Sequence, residues 1–196
     1  MRISIFEDKK ALIFLFASIV SYITCLFLAL FLQPAPFANF IGFLGLIVYL
    51  ATIIPSIFKT VFPQIRSHTG LKWLLRHRRY TGIIAFVLAS NHGLLMTIQM
   101  HIDFSNPYTY IHYFQGILMM FIMTLLAITS NDWSVKKFKK NWKNLHKLTY
   151  LIIFILPWHI LDKMYRHWSY LTPLSVMLSL IFISLFIKRQ KIEMTN

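Results

Sequence analysis

Three histidines stand in or against long apolar stretches of this chain: His92, His146 and His159. A polar ring in such a place is costly unless it binds something. Neutral imidazole is cheaper to bury than a charge, and it is a common axial ligand for haem iron. His92 lies 12 residues beyond Tyr80, and His159 lies 12 residues beyond Lys147. At the helical rise each sits ~18 Å above the start of its apolar run. Two histidines at matching depth on neighbouring parallel helices can face one another across a planar metal macrocycle. The plain alternative is that each bonds a carbonyl or hydroxyl on the next helix.

His146 precedes His159 by 13 residues, ~20 Å lower and ~140° away around an ideal helix. It therefore points to a second site, a second haem nearer the basic end, or else to an interfacial histidine. His77 is its possible but poorly placed partner. Arg78 and Arg79 open the run that carries His92, and guanidinium suits haem propionates or another anionic cofactor. Positive-inside anchoring is the competing reading of this pair. The lysine run Lys136–Lys143 reads as a solvated, headgroup-facing loop that could also dock an acidic electron donor or a phosphate-bearing flavin such as FMN. His68 sits in a basic loop. His101, His112 and His167 sit near the opposite boundary, with nothing to fix their mutual geometry.

The elements that must position these groups are membrane helices. Hydrophobic residues are 57% of the chain and charged residues 13%, so an integral membrane protein is expected. Six runs of 17 to 22 residues qualify: Ala11–Leu32, Phe40–Phe58, Tyr80–Met100, Ile111–Thr129, Leu145–Leu161 and Leu171–Ile187. The first is too long for a signal-peptide core and reads as a retained span. The fifth carries Pro157, which in a membrane kinks a helix more often than it ends one. Eighteen of the twenty lysines and arginines fall on one side of this topology; Lys163 and Arg166 fall on the other. Both termini are then cytoplasmic, in a single six-helix domain spanning residues 1–196. The net charge of +14 is explained by topology, so no nucleic-acid partner is expected. A bacterial inner membrane and a thylakoid are equally compatible.

Exclusions narrow the chemistry. The single cysteine, Cys25, rules out a disulfide framework, an iron–sulfur cluster and c-type haem attachment. No glycine-rich dinucleotide or phosphate loop is present. All six acidic residues fall outside the apolar runs or at their ends, which weighs against a proton pump or coupled transporter.

Several stretches carry a resemblance. RRYTGIIAFVLASNH (Arg78 to His92) resembles the third span of ferric reductase-like transmembrane domains. LAITS (Leu126 to Ser130), followed by WKNLHKLTYLIIFILPWH (Trp142 to His159), resembles the exit of their fourth span and their fifth. TIIPSIFK (Thr52 to Lys59) fits the end of the second. The likeness runs from about Thr52 to Arg189 and is nearest to the branch of haem-binding membrane subunits of methionine sulfoxide reductase systems. Two departures stand out. The family often has a glycine shortly before the fifth-span tryptophan, whereas FKKNW (Phe138 to Trp142) has none. Ser90-Asn91 replaces an aliphatic pair before His92.

The resemblance implies a b-type cytochrome domain, with His92, His146 and His159 matching the family's haem histidines. It also implies electron flow from a cytoplasmic flavin reductase or a quinol, across the bilayer, to an outer-side redox partner. A stand-alone ferric-chelate reductase is the redox alternative. A non-redox scaffold or assembly protein, without a chromophore, is the alternative from another class.

Overall fold

A computed structural model of the chain describes residues 34–164 and 169–195, with Val20 and Ile23 besides. Most of the run Ala11–Leu32, Cys25 included, lies outside the described residues, as do Arg166 and His167. All regular structure among the described residues is helical, as expected. The helices are α1 (Pro34–Val61), α2 (Thr69–Gln99), α3 (Pro107–His112), α4 (Phe114–Ile128), α5 (Asp132–Phe138), α6 (Lys140–Leu145), α7 (Thr149–Met164) and α8 (Leu171–Thr195). Tight 3-10 turns cover Pro63–Ile65 and His146–Leu148.

Local chemistry sets several boundaries. The His68 ring accepts from the Gly70 amide and starts α2. Asn106 caps α3 ahead of Pro107, and Asn131 caps α5 through the Ser134 amide at 2.8 Å. The short stretch Thr129–Asn131 therefore both ends α4 and starts the next helix. Ser90, Thr97, Thr124, Ser175 and Ser179 each fold a hydroxyl back onto a carbonyl of the preceding turn. That satisfies a polar group in apolar surroundings and leaves the helix ladder intact. Pro55 and Pro157 lie inside α1 and α7 without ending them.

The helices do not coincide with the apolar runs. α2 begins at Thr69, so Lys72, Arg76, Arg78 and Arg79, expected in a loop, occupy its first turns. Leu, Lys and Arg are strong helix formers, and the hydropathy edge at Tyr80 does not stop the helix. Among the described residues three helices are long and apolar enough to cross a membrane: Phe37–Val61, Thr69–Gln99 and Leu171–Thr195. α4 and α5 make a fourth if their 93° bend is counted within one span. α7, at 16 residues, is apolar but falls short of the ~20 that a full crossing needs.

Packing runs in a closed circuit: α1 on α2, α2 on α4, α4 on α7, α7 on α8 and α8 back on α1. α1 is the most buried member. Its Tyr49, Leu50, Ile53 and Ile57 meet Met119 and Ile122 of α4, Ile152 and Ile153 of α7 and Phe182 of α8. A smaller cluster, Ala38, Ile41 and Leu95, closes the other end of the α1–α2 contact. Two halves result, one around His92 and one around Arg78.

Candidate functional site

His92 and His159 lie on different helices. They sit on α2 and α7, which are not packed closely on one another but share α4 as a neighbour. The two rings lie near enough to interact electrostatically. Each rests beside a glycine of a flanking helix. A methyl group built on Gly42 of α1 would come within 2.8 Å of His92 Nδ1 and 3.0 Å of its Cε1. A methyl on Gly116 of α4 would lie 3.4 Å from His159 Cε1. The first contact is impossible without movement and the second is tight.

The rings differ in how they are tied. His92 Nδ1 lies 2.8 Å from the Ala38 carbonyl. A carbonyl only accepts, so Nδ1 carries the proton and Nε2 keeps its lone pair. His159 Nδ1 is buried and finds no hydrogen-bond partner among the described residues. Nearby polar groups share that condition. The amide nitrogen of Asn91, both amide atoms of Gln99 and Oε1 of Gln115 are also buried without partners among the described residues. Asn91 is 1% exposed. So many unsatisfied groups cost roughly 1–3 kcal/mol each unless something further binds among them.

At the other half, His146 stands in the wall of a cavity of about 480 Å³. Arg76, Arg78, Arg79, Lys143, Lys147 and Arg189 supply its charge. Tyr49, Thr52, Ser56 and Tyr150 supply hydroxyls. Arg79 Nη2 pairs with Asp132 Oδ1, and Arg189 binds both Glu193 and the Tyr150 hydroxyl. Arg78 interacts electrostatically with Tyr49, His146 and Tyr150, which places its charge at the centre. The Trp142 indole stacks on His146 at 4.1 Å and donates from Nε1 to the Thr129 carbonyl. The Thr129 hydroxyl gives its proton to the Leu125 carbonyl at 2.7 Å. Its lone pair therefore accepts from His146 Nε2 at 3.1 Å.

His146 and His159 thus occupy different sites. The intervening 3-10 turn breaks the ideal helical phase, but the separation persists. His77 does not line the cavity: its Nδ1 turns back to the Trp73 carbonyl on its own helix, and its ring lies tilted against Trp73. Among the described residues no group of three His, Cys, Asp or Glu side chains could hold a metal ion, so His101 and His112 form no such site there.

Residues 41–157 match the model of the ferric reductase like transmembrane component. The chain belongs to the ferric reductase-like transmembrane family. The matched stretch takes in α1 from its eighth residue onward, all of α2 and α4, and His92 and His146, and it stops two residues before His159. The heme-binding subunit MsrQ of protein-methionine-sulfoxide reductase from Brucella ovis is 35% identical over 98 residues, covering 45% of this chain and 42% of that protein. The same subunit from Brucella anthropi matches to the same extent. The chain therefore spans less than half the length of these relatives. No solved structure matches.

Ala38, Gly42 and Gly116 are neighbours of the two rings that sequence reasoning misses. The two glycines are small residues on helices next to a histidine helix, which is the available signal. Their register against the rings is not readable from it. Asn91 stands out in the sequence as a departure before His92, but its burial does not.

Proposed function

We propose that the chain is a membrane-embedded b-type haem protein that relays electrons across the bilayer. His92 and His159 serve as axial ligands of one haem. The observation that carries this reading is the pair itself. Two imidazoles on helices that are not packed closely together feel one another electrostatically, and Gly42 leaves the His92 ring space that a methyl group would fill. His92 offers a free Nε2, and His159 is buried without a partner for Nδ1 among the described residues. Such a donor set fits haem iron, and the relatives named as heme-binding subunits support the choice. A haem bound there supplies one-electron transfer. The chain's own residues hold the rings, keep the site apolar and fix the His92 proton on Nδ1.

The basic cavity is the second part of the reading. It takes the anionic edge of a second haem or another planar anion such as FMN; a quinone is a further candidate ligand. Arg78 and Arg79 meet the negative charge there, and His146 stands in the wall. Ligation through His146 Nε2 requires exchanging its bond to Thr129.

The topology proposed is a single domain of six spans with both termini cytoplasmic, which puts the basic cavity on the cytoplasmic side. A flavin reductase or a quinol then donates at that side. An outer redox partner, of the sulfoxide reductase kind, accepts beyond His159. The setting is a bacterial inner membrane.

The test is a reduced-minus-oxidised optical spectrum of the detergent-purified chain expressed with ample haem. Sharp b-type bands that vanish in His92→Ala are expected. A flat spectrum from folded protein would sink the reading and leave the scaffold alternative in front.

A further inference from the structure

We infer that the two imidazoles are held unequally. His92 is the fixed ligand and His159 the exchangeable one, and Gly42 is the residue that positions His92. This rests on the haem reading above and goes beyond it.

Three observations carry it. The His92 ring is tied on one side by the 2.8 Å bond to the Ala38 carbonyl. Ala38 is fully buried in the α1–α2 contact, so its carbonyl moves only if the helix pair moves. Ala38 and Gly42 lie one turn apart on the same face of α1, and the missing side chain of Gly42 lets the ring lie against that face. A metal-binding histidine whose second nitrogen donates to a carbonyl is fixed in tautomer and orientation and is the more basic for it. His159 has the opposite environment. No hydrogen bond holds its ring among the described residues, and even a methyl group built on Gly116 would stand 3.9 Å from its Nδ1, so that helix does not press on this nitrogen. A ring held by packing alone swings aside more readily than one held by packing and a buried bond. A haem held there would therefore lose its α7 imidazole first, and small ligands that displace an imidazole would enter on that side.

The experiment uses the full chain, purified with its haem, and reads haem content, spin state and carbon monoxide binding after reduction. His159→Ala is expected to keep haem within about twofold of wild type, while His92→Ala loses it by about tenfold or more. His159→Ala should also become high-spin, bind carbon monoxide without delay and regain low-spin bands on addition of free imidazole. His92→Gln, which keeps a donor towards Ala38 but no imidazole, covers the case that His92→Ala does not fold; the same loss of haem is expected. Gly42→Ala should change the spin state and lower haem content. Gly45→Ala on the same helix, whose methyl would meet Leu88 and Ala89 no closer than 3.5 Å, should leave both unchanged.

Equal loss in the two histidine variants, or greater loss in His159→Ala, overturns the inequality. A Gly42→Ala spectrum identical to that of Gly45→Ala overturns the positioning role. A wild-type chain without haem overturns the underlying reading and this inference together, and is told apart from the other failures by the wild-type spectrum alone.

Discussion

The His92 half and the Arg78 half of the molecule solve opposite problems. Around His92 the surroundings are apolar and the helices approach closely through glycine, with buried amides left unsatisfied among the described residues. Around Arg78 a cavity carries six cationic side chains, hydroxyls and a stacked indole, and its histidine is already hydrogen-bonded. The first environment suits the apolar body of a macrocycle and a nitrogen donor such as His92. The second suits the charged rim of a ligand, because guanidinium and ammonium groups lose least when they face both an anion and water. The same residue type does different work in the two. His92 presents a nitrogen, whereas His146 closes a wall.

The largest expected effect separates the halves outright. His92→Ala should lower the low-spin haem signal about tenfold or more, and His146→Ala should leave the His92 signal in place, removing at most a second haem. Pyridine haemochrome quantitation beside the visible spectrum reads both. If His146→Ala erased the His92 signal, the halves would be one site.

The next effect reaches both halves through the helix they share. Ile53 is fully buried on α1, in the core between them. Ile53→Ala should cost about 2–5 kcal/mol of stability. Thermal unfolding in detergent would show it, with both sites lost together rather than one before the other.

A third prediction concerns strain on the basic side alone. Lys139 adopts φ 47° and ψ −113° at the break between α5 and α6. Left-handed backbone of this kind favours glycine, and the stretch Phe138 to Trp142 is where the family often has one. Lys139→Gly should stabilise the fold by about 1 kcal/mol, despite losing a positive charge. An unchanged or lower midpoint in the same unfolding assay would show that the lysine is needed for its charge.

The smallest effect lies at the far end of α7. Asp162 accepts from Lys163 at 2.6 Å and from Gln115 at 3.3 Å, and Lys163 also bonds the His112 carbonyl. The bond from Lys163 holds the Asp162 carboxyl below its usual range. A carboxyl depressed in the folded state adds stability that is present above its unfolded value and is lost as pH falls through the folded value. The carboxyl is largely exposed, so the gain is small. The unfolding midpoint should fall slightly below about pH 4, and Asp162→Asn should flatten that step. An unaltered acid limb in the variant would assign the step to another carboxylate.

Much of this protein is legible in the chain itself. Apolar content, run lengths and the placement of acids at run ends dictate a helical membrane protein, because an apolar segment in hydrocarbon must satisfy its own backbone. Counting residues leads to the expectation that His92 and His159 share a depth, since helical rise is fixed. The basic residues near Tyr80 are visible as a cluster, though their place on α2 rather than in a loop is not, because hydropathy does not mark where a helix begins. The paired glycines, the Ala38 carbonyl and the walls of the basic cavity are decided by tertiary structure alone. Each comes from a helix remote in sequence from the group it serves, and a backbone carbonyl has no side chain to announce it. Rotation of one helix by a single residue, ~100°, would turn Gly42 away from His92, and only packing across the whole circuit sets that rotation.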